Sequence, residues 1–132
     1  MLKNHDSSAI LAVSDLERAR HFYGEVLELE SEEDGEEGVI VYHTGATKLV
    51  VYQSEFAGTN KANAVVWSIA LREAQHDKDE FDEIVAALEA KGVAFEHYPD
   101  IGRLEGNVHV ADGARLVWLK DPAGNILHIN SM

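Results

Sequence analysis

Histidine is the side chain best suited to moving a proton near neutral pH, and this chain has seven. His5, His21, His43, His76, His97, His109 and His128 contain no HxH or HExxH spacing, so no two are placed by local sequence to share a metal. His97 and His109 flank a long loop, and His109 with His128 is the pair to test for a common pocket. The simpler expectation is imidazoles scattered over the surface. Cysteine is absent, which excludes disulfides, zinc thiolate sites, iron–sulfur ligation and thiol catalysis. No Gly-rich phosphate loop leads from a strand into a helix, and no Gly-x-Ser-x-Gly elbow exists, so nucleotide and serine-hydrolase chemistries fall away. The acidic run LELESEEDGEEG, residues 27 to 38, offers many carboxylates. It lacks the alternating ligands and following helix of a calcium loop and reads as a solvated hairpin tip.

His128 stands out by context. In RLVWLKDPAGNILHI, residues 115 to 129, two apolar runs flank Asp121-Pro122-Ala123-Gly124-Asn125. Asp opens a turn, Pro fixes φ at its second position, and Gly or Asn supplies the left-handed residue that returns the chain as a hairpin. Alternation along the second strand puts Leu127 and Ile129 on one face and His128 on the other, a single imidazole in an apolar strand.

The elements that must position these residues follow from charge and periodicity. With 24 acidic against 11 basic residues the net charge is −13, which opposes binding to nucleic acid or to an anionic membrane surface. No signal peptide is recognisable and no apolar run approaches ~20 residues, so a cytoplasmic protein is expected. Ala9 to Val13 reads as a strand. Ser14 and Glu17 have capping-box spacing before a helix whose apolar stripe is Leu16, Ala19, Phe22, Tyr23 and Val26, with His21 beside it on the surface. Val39 to Tyr42 and Lys48 to Tyr52 form a hairpin. Ser54 to Asn63 is a polar connector, and Ala64 to Leu71 is again a strand. Asp77 and Glu80 repeat the capping box before Phe81, Ile84, Val85 and Leu88, and Lys91-Gly92 closes that helix. Val93 to Glu96 is a strand, Tyr98 to Glu105 a loop, and Asn107 to Val110 a further strand.

The order repeats. A shift of 65 residues places Leu16, Ala19 and Tyr23 on Phe81, Ile84 and Leu88, and a shift of 78 places Leu49, Val50 and Val51 on Leu127, His128 and Ile129. Each βαβββ half has one sheet and one helix, and neither buries its apolar surface well alone.

Three features together resemble the vicinal oxygen chelate superfamily. They are the helix signature Ser14-Asp15-Leu16-Glu17 through Phe22-Tyr23, the helix end Lys91-Gly92-Val93, and the turn Asp121-Pro122-Ala123-Gly124-Asn125. That superfamily holds glyoxalase I, extradiol dioxygenases, and fosfomycin and bleomycin resistance proteins. The likeness spans residues 8 to 129 and is nearest to the glyoxalase-related, bleomycin-resistance-like branch. It implies an α+β fold within a single domain, residues 1 to 132. Two tandem βαβββ modules, 8–53 and 64–129 joined by a connector 54–63, would form one cup-shaped mixed sheet with helices outside, paired as a homodimer.

The family's metalloenzymes place ligands at positions that fall here on Ser8, Val50, Ala64 and His128. A divalent ion held by protein alone needs three or four donors, and this set supplies one good one, so no metal and no cofactor are expected. The cup implied by strand parity is lined by Ser8, Ile10, Val50, Tyr52, Ala64, Val66, Ser68 and His128, with Trp118 at its rim and Trp67 in the core. The expected function is metal-independent binding of a small organic molecule, with His128 as hydrogen-bonding anchor or general base. The alternative is a metal-dependent lyase, isomerase or dioxygenase of the same superfamily with a rearranged site that His97 or His109 joins. One departure concerns the backbone. Glu28 stands where Gly is common in the family, and positive φ there costs a non-Gly residue on the order of 1 kcal/mol.

Overall fold

The computed structural model describes residues 1–32, 37–70 and 80–131. The acidic tip at 33–36 and the polar stretch 71–79, with His76 and the Asp77 cap, lie outside the described residues. Contacts divide the chain into two compact units. The first runs from Met1 to Ala64 and includes the turn Asp121–Asn125; the second is built from Val65–Lys120 and the strand that begins at Ile126. Among the described residues no helix is long and apolar enough to cross a membrane.

In the first unit the strands are β1 (Ala9–Val13), β2 (Glu30–Ser31), β3 (Val39–Thr44) and β4 (Thr47–Gln53), in the sheet order β1-β4-β3-β2. β1 pairs parallel to β4, with Ile10 opposite Val50 and Ala12 opposite Tyr52. Alternation gives this sheet two different faces. Leu11, Val13, Leu49 and Val51 are buried on the core side, while Ile10, Ala12, Val50 and Tyr52 share the other. The helix that covers the core side starts one residue later than the capping-box spacing implies. Asp15, extended at φ −134, is the cap, and its Oδ1 accepts from the Arg18 amide at 3.1 Å. An aspartate carboxylate caps a helix at least as well as serine, and the Ser14 carbonyl is engaged instead by the Gln53 side chain at 3.3 Å.

The helix α1 (Leu16–Arg20) widens into a π-helix over His21–Val26, where the Leu27 amide bonds the Phe22 carbonyl at 2.9 Å. Phe22 and Tyr23 are both buried from this segment. The chain then leaves through Glu28 at φ +60, the left-handed conformation anticipated at that position.

The Asp121–Asn125 turn is fastened to this first unit. Asp121 is 4% exposed and its carboxylate accepts four hydrogen bonds. Oδ1 takes the amides of Ala123 at 3.0 Å and Asn125 at 2.8 Å; Oδ2 takes the Asn125 carboxamide at 2.8 Å and the Tyr23 hydroxyl at 2.6 Å. The other Asn125 amide hydrogen reaches the Ala12 carbonyl at 2.8 Å. Gly124, at φ +88, is the left-handed residue of the turn. Burial, and then the adjacent Asp121 charge, raise the Tyr23 hydroxyl far above the usual phenol range, so it remains a donor.

The strands of the second unit are β5 (Asn63–Ile69), whose first two residues belong to the first unit, β6 (Phe95–Glu96), β7 (Arg103–Glu105), β8 (Val108–Ala111), β9 (Ala114–Lys120) and β10 (Ile126–Ser131). Their order is β5-β10-β9-β8-β7, with β6 also pairing β9. The strands thus hydrogen-bond as two sheets, and in the second a β-α unit is followed by five strands rather than three. The segment expected to be loop through Glu105 contains β7, because Gly106 at φ +60 turns the chain back and pairs Glu105 with Val108. Asp112 and Gly113, at φ +50 and +80, make the two-residue turn between β8 and β9. From α2 (Glu80–Ala90), Phe81, Val85 and Leu88 are buried, as are Val117, Leu119, Leu127 and Ile129 of the sheet. Arg115 ties the two layers, pairing with Asp82 and lying 4.9 Å over the Phe81 ring. Trp67, expected in the core, is half-buried.

Two substitutions test this framework. Tyr23→Phe removes a donor from a buried carboxylate and should lower the unfolding free energy by about 1–3 kcal/mol in denaturant titrations. Glu28→Gly relieves the positive φ and should raise it by up to about 1 kcal/mol in the same assay.

Candidate functional site

The face of the first sheet opposite its core borders a cleft of about 410 Å³. Ile10 and Ala12 of β1 and Tyr52 of β4 form its floor. The connector supplies a wall with Phe56 and Asn60, β5 opens into it at Asn63 and Ala64, and Asn125 of the turn closes one side. Every lining residue belongs to the first unit.

The connector is held in shape by its own short-range hydrogen bonds. The Phe56 amide donates to Ser54 Oγ at 3.1 Å, Thr59 Oγ donates to the Phe56 carbonyl at 2.9 Å, and the Ala62 amide donates to Asn60 Oδ1 at 3.0 Å. Gly58 fits because it has no side chain: at φ +84, a Cβ there would lie 3.0 Å from the Ala123 carbonyl oxygen. This loop leaves the Phe56 ring 78% exposed, and Ile10 is 64% exposed beside it. Apolar walls with a few placed polar groups are the usual make-up of a small-molecule site.

Of the residues chosen from sequence, Ile10, Tyr52 and Ala64 line this cleft. Val50 shares their sheet face as the register partner of Ile10, and Ser8 is an exposed residue before β1. Val66, Ser68, Trp118 and His128 belong to the second unit. There Val66 and Ser68 are exposed, whereas Trp118 is buried, 6% exposed, and presents no rim within its unit. Phe56, Asn60, Asn63 and Asn125 were not singled out from sequence. A phenylalanine inside an otherwise polar connector was the available signal.

His128 sits in an aromatic stack. Its ring lies 4.5 Å from the Trp118 ring at an interplanar angle of 19°, and Tyr98 meets the same indole edge-on at 5.2 Å. Nδ1 donates to the Val117 carbonyl at 3.1 Å, and Nε2 accepts from the Asn130 carboxamide at 3.3 Å. His109 is not a surface imidazole: it is 1% exposed, with Nδ1 donating to the Ile101 carbonyl at 2.9 Å and Nε2 accepting from the Tyr98 amide at 3.3 Å. Its ring lies 5.2 Å from Trp118, so His109 and His128 each pack against the indole. His97 bonds Asn107 at 2.9 Å on the surface.

The metal implied by the resemblance does not fit this donor set. Ser8, Val50 and Ala64 bring no imidazole or carboxylate, and both nitrogens of His128 are engaged. Among the described residues no group of three His, Asp or Glu side chains is placed to hold an ion.

Burial holds the His128 imidazole below its ordinary 6.5, against a smaller opposing effect of the Val117 carbonyl. The folded state therefore carries it neutral, while the unfolded chain protonates it as pH falls through that ordinary value. Its contribution to stability is complete above 6.5 and is lost as pH falls through the lowered folded value. His128→Gln, which cannot titrate, should make the decline in stability from about pH 7.5 to about pH 5 shallower than in the parent. Equal slopes in denaturant melts would place His128 in a solvated, unperturbed setting.

The fold recurs among solved structures of low sequence similarity. A glyoxalase/bleomycin resistance protein/dioxygenase from Alicyclobacillus acidocaldarius is 21% identical with a TM-score of 0.69, covering 97% of this chain and 91% of its own. A lactoylglutathione lyase from Agrobacterium tumefaciens is 21% identical with a TM-score of 0.67, covering 96% and 92%. The oxidase ChaP-H2 is 21% identical with a TM-score of 0.62, covering 97% and 93%. No curated protein shows significant sequence similarity to the chain. The model of the Glyoxalase/Bleomycin resistance protein/Dioxygenase superfamily matches residues 7–129. With a match over nearly its whole length, the chain belongs to that superfamily.

Proposed function

We propose that this chain is a cytoplasmic, homodimeric small-molecule binding protein that holds an organic ligand against the open face of its first sheet without a protein-bound metal. The observation that carries the reading is the cleft itself: about 410 Å³, floored by Ile10 and Tyr52 and walled by an exposed phenylalanine on a hydrogen-bonded loop. Its volume suits a ligand of one or two rings. Burying the Phe56 and Ile10 surfaces against such a ligand supplies the driving force. His128 is not required by this reading, since its ring nitrogens are satisfied within the second unit.

The test is a screen of small aromatic compounds by protein-observed NMR, with and without EDTA. Hits should shift Tyr52, Phe56 and Asn63, and their affinities should be unchanged by the chelator. Phe56→Ala should weaken them several-fold, the ~0.5–1.5 kcal/mol of an aromatic pair, while His128→Gln should leave them within about twofold. Binding abolished by EDTA, or insensitive to Phe56→Ala, would overturn the reading. Native mass spectrometry of the purified protein counts chains and carried ligand in one spectrum, and a single-chain species alone would remove the homodimer.

A further inference from the structure

Among the described residues, no Lys, Arg, Asp, Glu or His side chain lines the cleft. In a chain of net charge −13 that is a selective absence, and it leaves a charged ligand group without a counter-ion. The polar groups that do line it are amides and hydroxyls, and their existing bonds decide what each can still offer. Asn125 has spent both amide hydrogens, on the Ala12 carbonyl and on Asp121 Oδ2, each at 2.8 Å. Those two oxygens fix which end of the carboxamide donates and leave its Oδ1 able to accept. Asn60 has spent its Oδ1 on the Ala62 amide and retains its Nδ2 as a donor. The Asn63 carboxamide and the Tyr52 hydroxyl make no hydrogen bond among the described residues.

The lining therefore combines neutral carboxamides of Asn60, Asn63 and Asn125, with an Asn125 oxygen and an Asn60 nitrogen not used in the bonds above, and apolar surfaces of Ile10, Tyr52 and Phe56. Resting on the small-molecule reading above, we propose that the cleft takes an uncharged aromatic ligand carrying both a hydrogen-bond donor and an acceptor, as a carboxamide or lactam does. A carboxylate has no hydrogen for Asn125 Oδ1, and an amidinium has no lone pair for Asn60 Nδ2. Each would also bury a charge that nothing in the lining neutralises.

Benzamide, benzoate and benzamidine test this directly, since they share one ring and differ in charge and in hydrogen-bonding pattern. Titrated at neutral pH into the full chain and followed by protein-observed NMR, benzamide should shift Tyr52, Phe56 and Asn63. Benzoate and benzamidine should bind at least about fivefold more weakly. Asn63→Asp, at an exposed position, places one negative charge in the lining and should reverse the order so that benzamidine binds best. Benzoate or benzamidine matching benzamide at the unaltered cleft would overturn the assignment of ligand class while leaving the binding reading intact. No perturbation of the cleft by these probes or by any compound of the wider screen would remove both.

Discussion

A buried carboxylate without a basic partner among its hydrogen bonds is the constraint on which the first unit depends. Asp121 is removed from solvent and compensated by donors alone: two backbone amides of its own turn, the Asn125 carboxamide, and the Tyr23 hydroxyl. Such a group is tolerable only if every lone pair is met, and that requirement fixes several distant parts of the chain at once. Tyr23 must come from the π-helical turn, Asn125 must face β1, and the turn must keep a left-handed Gly124. Asn125, which satisfies Asp121, also lines the cleft, so the framework and the cleft share one side chain.

The two sheets use one burial scheme and put different chemistry on it. Leu49 and Val51 are buried around a half-buried Val50, as Leu127 and Ile129 are around a half-buried His128. The repeated positions on the helices keep their apolar character but not their volume: Leu16 and Ala19 in the first unit correspond to the larger Phe81 and Ile84 in the second. In the second unit the position equivalent to Val50 carries an imidazole, and its neighbourhood is closed by Trp118, Asn130 and the Val117 carbonyl. What looks from sequence like a single polar group on an apolar face is, in its surroundings, an aromatic packing residue with two satisfied nitrogens.

The fold was legible because its signals are periodic and local. The helical stripes, the DPAGN turn, the strand parity and the internal repeat each depend on residues close in sequence, and the superfamily match spans the same segments. The exceptions are also local: Asp15 rather than Ser14 caps the first helix, and the Asp112-Gly113 turn signal was passed over. The site was less legible. Parity puts Ile10, Tyr52 and Ala64 in one set and these three line the cleft, but the wall comes from a connector whose composition reads as linker. The burial of His109 rests on the Ile101 carbonyl and the Tyr98 amide, partners that no spacing rule names. Trp118 could be assigned to rim or core only once its ring neighbours were known.

The division of the turn from its strands bears on how such a chain arose and how it can be cut. Residues 121–125 belong to the first unit although β9 and β10 on either side belong to the second. A fragment ending at Ala64 would bury the Tyr23 hydroxyl with no acceptor and leave the Ala12 carbonyl without its Asn125 donor. Within the first unit, residues 1–64 therefore take these two bonds from the 121–125 turn. Halves expressed separately should reassemble only with the 121–125 peptide carried on the second, and a circular permutant opened within the connector would keep every one of these bonds.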